Sequence, residues 1–367
     1  MDIFAHYLSN LTYAILSVDK MKRRILAIDM GGTSVKAGVF VEGNLEKTTK
    51  WEHTYNDCSL NKAKKDLIDK IKAFYNYRID AIGIGVAGLI AKDNSLYRST
   101  VLRSFNGFNI PGLLKHELGV GIVTIDNDAD CGAISEWNYA HKPLLYVVVG
   151  SGIGSAYIDS RGNLPYLTRF DSENKFMDKD NPIPNDLGLR IAVPRRYVSE
   201  KIEEKLLDEL ASYDLPERYI DEIIRNEKCN QLEGLNNDPS SIKVSALGSA
   251  LGFKKIDSII LELVEKRVDR EKTRVLAYKI FGHFLGYGIA KTQKLICEEQ
   301  HLKEYPFVVL SGPIMNSYAH FGVAIDKALN EQGVKCEIKI SDDLESSNLK
   351  GAYLRTAKEL DRMELKW

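Results

Sequence analysis

The apolar positions of the chain follow two rhythms. Short continuous runs at 25-ILAI-28, 122-IVTI-125, 144-LLYVVV-149 and 307-FVVL-310 predict buried strands. Behind the first of them, Val35, Ala37 and Val39 alternate with Lys36, Gly38 and Phe40, which predicts a second strand rather than a helix. Ser155 to Asp159 likewise resumes as a strand behind the third run. Two strand pairs are thus joined through glycines, by Gly31-Gly32 in one and by 150-GSGIG-154 in the other. Helical periodicity predicts a helix over 61–77, long segments within 256–299 of a mostly helical chain from Arg195 onward, and a last helix near 347–362. Gly282, Gly286 and Gly288 predict close helix packing in that region. The stretch 160–188 is polar and broken by Pro165, Pro182 and Pro184, which predicts a long surface excursion.

The first glycine turn, in 24-RILAIDMGGTSVKAGVF-40, excludes two familiar phosphate motifs. A Walker loop closes on Gly-Lys-Ser/Thr and opens a helix, and a dinucleotide fingerprint needs three spaced glycines before a helix. Here the glycines open a strand. A tight hairpin free of side-chain bulk can point backbone N–H groups at an anion, and Asp29 at its mouth can hold Mg²⁺, usually through water. An ordinary Gly-Gly hairpin fits the segment equally well. The recurrence of the device at 144-LLYVVVGSGIGSAYID-159 suggests duplicated halves closing on one polyphosphate. In 306-PFVVLSGPIMNSY-318 a third buried strand ends in Ser311-Gly312-Pro313 and is followed by a predicted helix, a turn that lets backbone approach a flat ligand.

Between the hairpins, 122-IVTIDNDADCGAISEW-137 delivers Asn127-Asp128 to the carboxyl end of a strand and begins a helix of small residues. Asp126, Asp128 and Asp130 resemble part of a calcium loop, but the glycine and the distal Glu are missing at the required offsets. A helix cap remains a sufficient explanation for Asp128 taken alone.

Taken in order, Asp29-x-Gly31-Gly32-Thr33-x-x-Lys36, 83-GIGVAG-88, Asn127-Asp128-Ala129-Asp130, 150-GSGIG-154 and 308-VVLSGPI-314 resemble the ROK family of sugar kinases and sugar-responsive repressors, within the superfamily of hexokinase, actin and the heat-shock chaperone ATPases. The resemblance runs over residues 24–357 and includes Gly351-Ala352 on the closing helix. It implies an α/β chain with a two-domain actin-like ATPase (ribonuclease H-like) fold, with duplicated βββαβα cores and an interdomain cleft. Residues 1–20 are then an accessory extension, 21–126 a small α/β domain, 127–343 a large one, and 344–367 a helix returning to the small domain.

The activity implied is ATP-dependent phosphorylation of a hexose hydroxyl, assisted by Mg²⁺, in a homodimer. Phosphoryl transfer asks a protein mainly to position the acceptor and to offset charge. Asp29, Gly31, Gly32, Thr33, Lys36, Gly150, Ser151, Gly152, Gly154 and Gly312 match nucleotide-binding positions, with Asp29 also holding the metal and Thr33 and Ser151 adding hydroxyl donors. Asp128 matches the catalytic base. Gly88 and Asn127 match sugar-contacting positions, and Asn106 in 104-SFNGF-108 is a weaker match. A non-catalytic sugar sensor and an ATPase scaffold of the actin type are the other readings of the fold. Retention of Asp29 and Asp128 favours the kinase, and residues 1–20 are too short for a helix-turn-helix domain, which counts against a repressor.

Composition narrows the partners. The 367 residues are 44% hydrophobic, enough for two domains with ample cores. With 50 basic and 51 acidic residues, a formal net charge of −1 gives no electrostatic footprint for nucleic acid. Cys58, Cys131, Cys229, Cys297 and Cys336 are scattered without a CxxC pair, which fits reduced thiols in a cytoplasm. Leu11 to Val18 is too short to span a membrane, and Asp2 stands where a signal peptide would be basic.

One family element is missing. ROK kinases commonly carry a Glu-x-Gly-His segment after the second hairpin, often followed by a cysteine-rich zinc motif, yet no His or Cys occurs between Ala156 and Val198. The expectation is a protein without family-type zinc. Glu173, with Asp171 beside it, is the candidate replacement for the lost sugar contact, and the expected selectivity is either broader than that of a zinc-bearing glucokinase or directed at another sugar, such as fructose or an N-acetylated hexosamine.

Overall fold

The structure, a computed structural model, describes residues 23–74, 78–149, 153–165, 169–170 and 270–364. Residues 1–22, Gly150, Ser151, Gly152, Glu173, Cys229, most of the expected excursion and the expected helical chain from 195 to 269 lie outside the described residues. Clustering of contacts divides the chain into Met1–Asn127 with Ala352–Trp367, and Asp128–Gly351.

The first unit holds β1 (Arg24–Met30), β2 (Ser34–Val41), β3 (Asn44–Glu52), α1 (Leu60–Phe74), β4 (Ala81–Val86), β5 (Leu89–Ala91), β6 (Leu96–Arg98), α2 (Ile110–Leu118) and β7 (Ile122–Asn127). Its main sheet has the order β3-β2-β1-β4-β7. The pairs β1–β2 and β2–β3 are antiparallel, and β1, β4 and β7 run parallel. Strand periodicity sorts β1 by face. Leu26, Ile28 and Met30 enter a core with Ala63, Leu67 and Ile71 of α1, while Ile25 packs on the other face with Ala81 and Leu360. A side chain on Gly83 of β4 would overlap the Ala352 carbonyl, so the last helix lies close against the sheet there. Helix α2 is bounded by ordinary signals: Asn109 Oδ1 accepts the Gly112 N–H at 2.7 Å, and Gly119 closes the helix at φ 66°.

The second unit runs through α3 (Asp128–Ala140), β8 (Leu144–Val149), β9 (Ile153–Ile158), the two-residue β10 (Arg169–Phe170), α4 (Arg270–Glu299), β11 (Phe307–Ser311), α5 (Gly322–Glu331) and β12 (Ile338–Ile340). Helix α6 (Ser347–Glu364) begins here and continues into the first unit. The sheet order is β12-β11-β8-β9, with β9 antiparallel to β8 and β11 parallel to both β8 and β12. Counted from the hairpin outward, this is the strand order of the first unit without its outermost strand, which makes the two units structural repeats.

Close packing is present at Gly282 and Gly286 of α4, where a Cβ would overlap the carbonyls of Phe321 and Ile325. The helix expected after Pro313 differs in kind. Pro313–His320 coils as a 3-10 helix and stops at Phe321, whose φ of −133° leaves the helical region before α5 begins. Burial explains the break. Phe321 is inaccessible to solvent and stacks among Tyr278, Phe281 and Tyr318, so the backbone bends to deliver its ring to the core.

Candidate functional site

Asp29 is buried near the end of β1: it is 8% accessible and lies directly opposite Lys36 in the β1–β2 ladder. Residues opposed in an antiparallel pair project from the same face, so the two side chains leave the same face of the sheet. Met30 and Val35, one step on, project into the core. The turn between them is tight, with the Gly31 N–H donating to the Ser34 carbonyl at 3.1 Å. Thr33 stands exposed at its tip.

At the end of β7, Asn127 Nδ2 donates to the Gly88 carbonyl at 3.0 Å, so these two sequence-predicted residues are brought together. Gly88 is itself sterically required, because a Cβ would crowd the Arg98 carbonyl and Leu96. Asp128 is the first residue of α3 and half-buried, with Oδ1 accepting the Ala129 N–H at 2.9 Å. The three neighbouring acids separate: Asp126 is buried against Arg355 Nε at 3.3 Å, and Asp130 is buried within α3. They do not converge as a calcium loop would. Asn106 plays a bracing part, since Oδ1 accepts the Ser99 N–H at 2.7 Å and Nδ2 donates to the Ser99 carbonyl at 3.2 Å.

In the second unit, Gly154 lets β9 pass the first turn of α3, where a Cβ would stand 3.3 Å from that of Ala129. Gly312 has φ 99° and leaves no room for a side chain beside the Val149 carbonyl, at the end of β8. Behind them lies a hydroxyl cluster absent from any sequence motif. Tyr146 Oη sits 2.8 Å from Ser347 Oγ and 3.1 Å from Asn348 Oδ1, and burial raises its pKa. Glu136, eight positions along α3 from Asp128, accepts from Ser341 Oγ at 2.5 Å, and burial holds its carboxyl above the usual range. Among the described residues no group of three or more His, Cys, Asp or Glu is placed to hold a metal ion. No helix among them is long and apolar enough to cross a membrane.

The two units repeat one strand order, in an α/β fold like that of solved ROK family sugar kinases. Residues 25–161 match the sequence model of the ROK family. A beta-glucoside kinase of Listeria monocytogenes is 27% identical over 245 residues, covering 60% of this chain and 81% of that protein. Among solved structures, a ROK family glucokinase from Streptomyces griseus in complex with glucose and AMPPNP superposes with a TM-score of 0.56 at 13% identity, over 91% of this chain and 99% of that one. A ROK family transcriptional regulator, a homolog of the E. coli MLC protein, superposes with a TM-score of 0.57 at 13% identity, over 92% of this chain and 79% of that one.

Proposed function

We propose that this protein is a sugar kinase that transfers the γ-phosphoryl group of ATP to a hexose hydroxyl. The observation that carries the reading is the Asn127-Asp128 junction: Asn127 is tied to Gly88, and a half-buried carboxylate follows at the N-terminus of α3. A carboxylate is a group that can serve as the general base for a hydroxyl. Asp128 would take the proton of the attacking sugar hydroxyl, while Asn127 and the Gly88 backbone orient the ring. The β1–β2 turn would present backbone N–H groups to the nucleotide phosphates, with Lys36 offsetting their charge. Asp29 suits Mg²⁺, being a hard oxygen donor at the strand end beside the turn. Bound there, the ion would offset charge on the phosphates. Kinship with the beta-glucoside kinase of Listeria and the likeness to a glucokinase bound to glucose and AMPPNP support both the acceptor class and ATP as donor.

Because a transcriptional regulator shares the fold, activity has to be measured. A coupled assay with Mg-ATP should detect phosphorylation of at least one sugar among glucose, mannose, fructose, β-glucosides and N-acetylated hexosamines, and no ATP turnover in the absence of sugar. Sugar binding without turnover would establish a sensor instead. Turnover independent of sugar would establish an ATPase scaffold.

A further inference from the structure

The β1–β2 turn is held from behind by the chain leaving β3. His53 Nε2 lies 2.9 Å from the Gly31 carbonyl oxygen, and the Tyr55 backbone N–H donates to His53 Nδ1 at 3.2 Å. These two contacts fix the tautomer. A ring nitrogen that accepts carries no proton, so the hydrogen resides on Nε2 and is donated to Gly31. The His53 backbone N–H donates in addition to the Thr33 carbonyl at 3.3 Å. The ring cannot drift from this position. It lies flat on Tyr55 with centroids 4.3 Å apart, and Tyr55 is buried, edge-on to Phe105, with its hydroxyl donating to Asp66 Oδ2 at 2.8 Å.

A trans peptide is planar, with its C=O and N–H on opposite sides. Holding the Gly31 carbonyl toward His53 therefore turns the Gly32 N–H to the opposite side, and holding the Thr33 carbonyl toward β3 does the same for the Ser34 N–H. Glycine at 32 leaves the first of these amides free of side-chain cover. We propose that His53 is a positioning residue for the nucleotide phosphates, aiming the Gly32 amide by holding the carbonyl behind it. The inference rests on the kinase reading of the same turn.

The test compares His53→Met with His53→Gln in the full-length protein, two side chains of matched length of which only Gln can donate to Gly31. Affinity for the Mg²⁺ complex of AMPPNP is measured by calorimetry, and KM for ATP and for sugar by steady-state assay. One hydrogen bond's worth of ordering predicts affinity about three- to tenfold weaker in His53→Met, with KM for ATP rising to match, KM for sugar unchanged, and His53→Gln near wild type. Equal affinities in the two variants, or a Met variant within about twofold of wild type, would overturn the proposal. Nucleotide binding without phosphorylation of any sugar defeats the kinase reading alone, and the calorimetric comparison still decides the role of His53. A wild-type protein that binds no nucleotide defeats both.

Discussion

A single carboxylate separates the two ways of reading α3. Asp128 can cap the helix or take a proton, and its bond to the Ala129 N–H serves either role. Asp128→Asn keeps the capping oxygen and removes the base. The variant should fold and bind nucleotide as wild type does, while kcat falls by about 10²–10⁴-fold, the usual cost of losing a general base. Near-full activity in a sugar kinase assay would leave Asp128 as a cap alone. The residues around it show what a linear pattern can and cannot carry. Asp29, the glycine pair and Asn127-Asp128 are legible because each sits at the end of an apolar run. His53 is not, because its partner Gly31 lies in a turn 22 residues away and no local periodicity marks it. Asn106 is read only as a weak match to a sugar-contacting position, and the capture of its amide by Ser99 is not legible.

At the scale of elements, β7 and α3 each carry a buried carboxylate, Asp126 and Glu136. Asp126 in β7 is 2% accessible, and the Arg355 side chain that meets it is 42% accessible. Arg355→Ala removes a charge partner from a buried carboxylate and should destabilise the protein by about 1–3 kcal/mol, less than for a fully buried pair because the arginine is half in water. Adding Asp126→Asn should recover much of that loss in urea denaturation; additive losses would show that the pair is not coupled.

Glu136 in α3 poses the pH question. Its folded pKa is raised by burial, so its stabilising contribution is complete below the ordinary glutamate value and is lost as pH rises through the folded value. Glu136→Gln keeps an oxygen for Ser341 and cannot ionise. It should exceed wild-type stability at neutral pH, with the difference closing below about pH 4. An unchanged difference at the two pH values would contradict the assignment. Strands β1, β2, β7, β8, β9 and β11 and helices α1, α4 and α6 follow from apolar rhythm, whereas β3, β5, β6, β10, β12, α2 and α5 are not read from it. The 3-10 segment after Pro313 does not follow from it either, because Phe321 is drawn into a core assembled from α4, and that pull appears nowhere in residues 313–320.

Among the described residues, each unit gathers a large hydrophobic core of its own. One core gathers Leu26, Ile28, Leu67 and Phe105, the other Val147, Leu285, Leu310 and Phe321, and neither cluster draws a buried member from the other unit. Repeats with separate cores can open separately, so hydrogen exchange should resolve two classes of core amides with different opening free energies. Leu285→Ala should lower protection in β8, β11 and α4 by the usual cost of a core truncation, about 2–5 kcal/mol, and leave β1 and β4 at wild-type values. Leu26→Ala should do the reverse. Helix α6 offers an internal control, because the division falls between Gly351 and Ala352. Gly351 has no room for a side chain beside the Cys131 carbonyl, whereas Thr356 bonds Thr124 of β7 at 2.7 Å. Amides beyond residue 356 should therefore follow the first core and respond to Leu26→Ala. Equal loss of protection in both cores from either substitution would mean that the repeats unfold as one cooperative body.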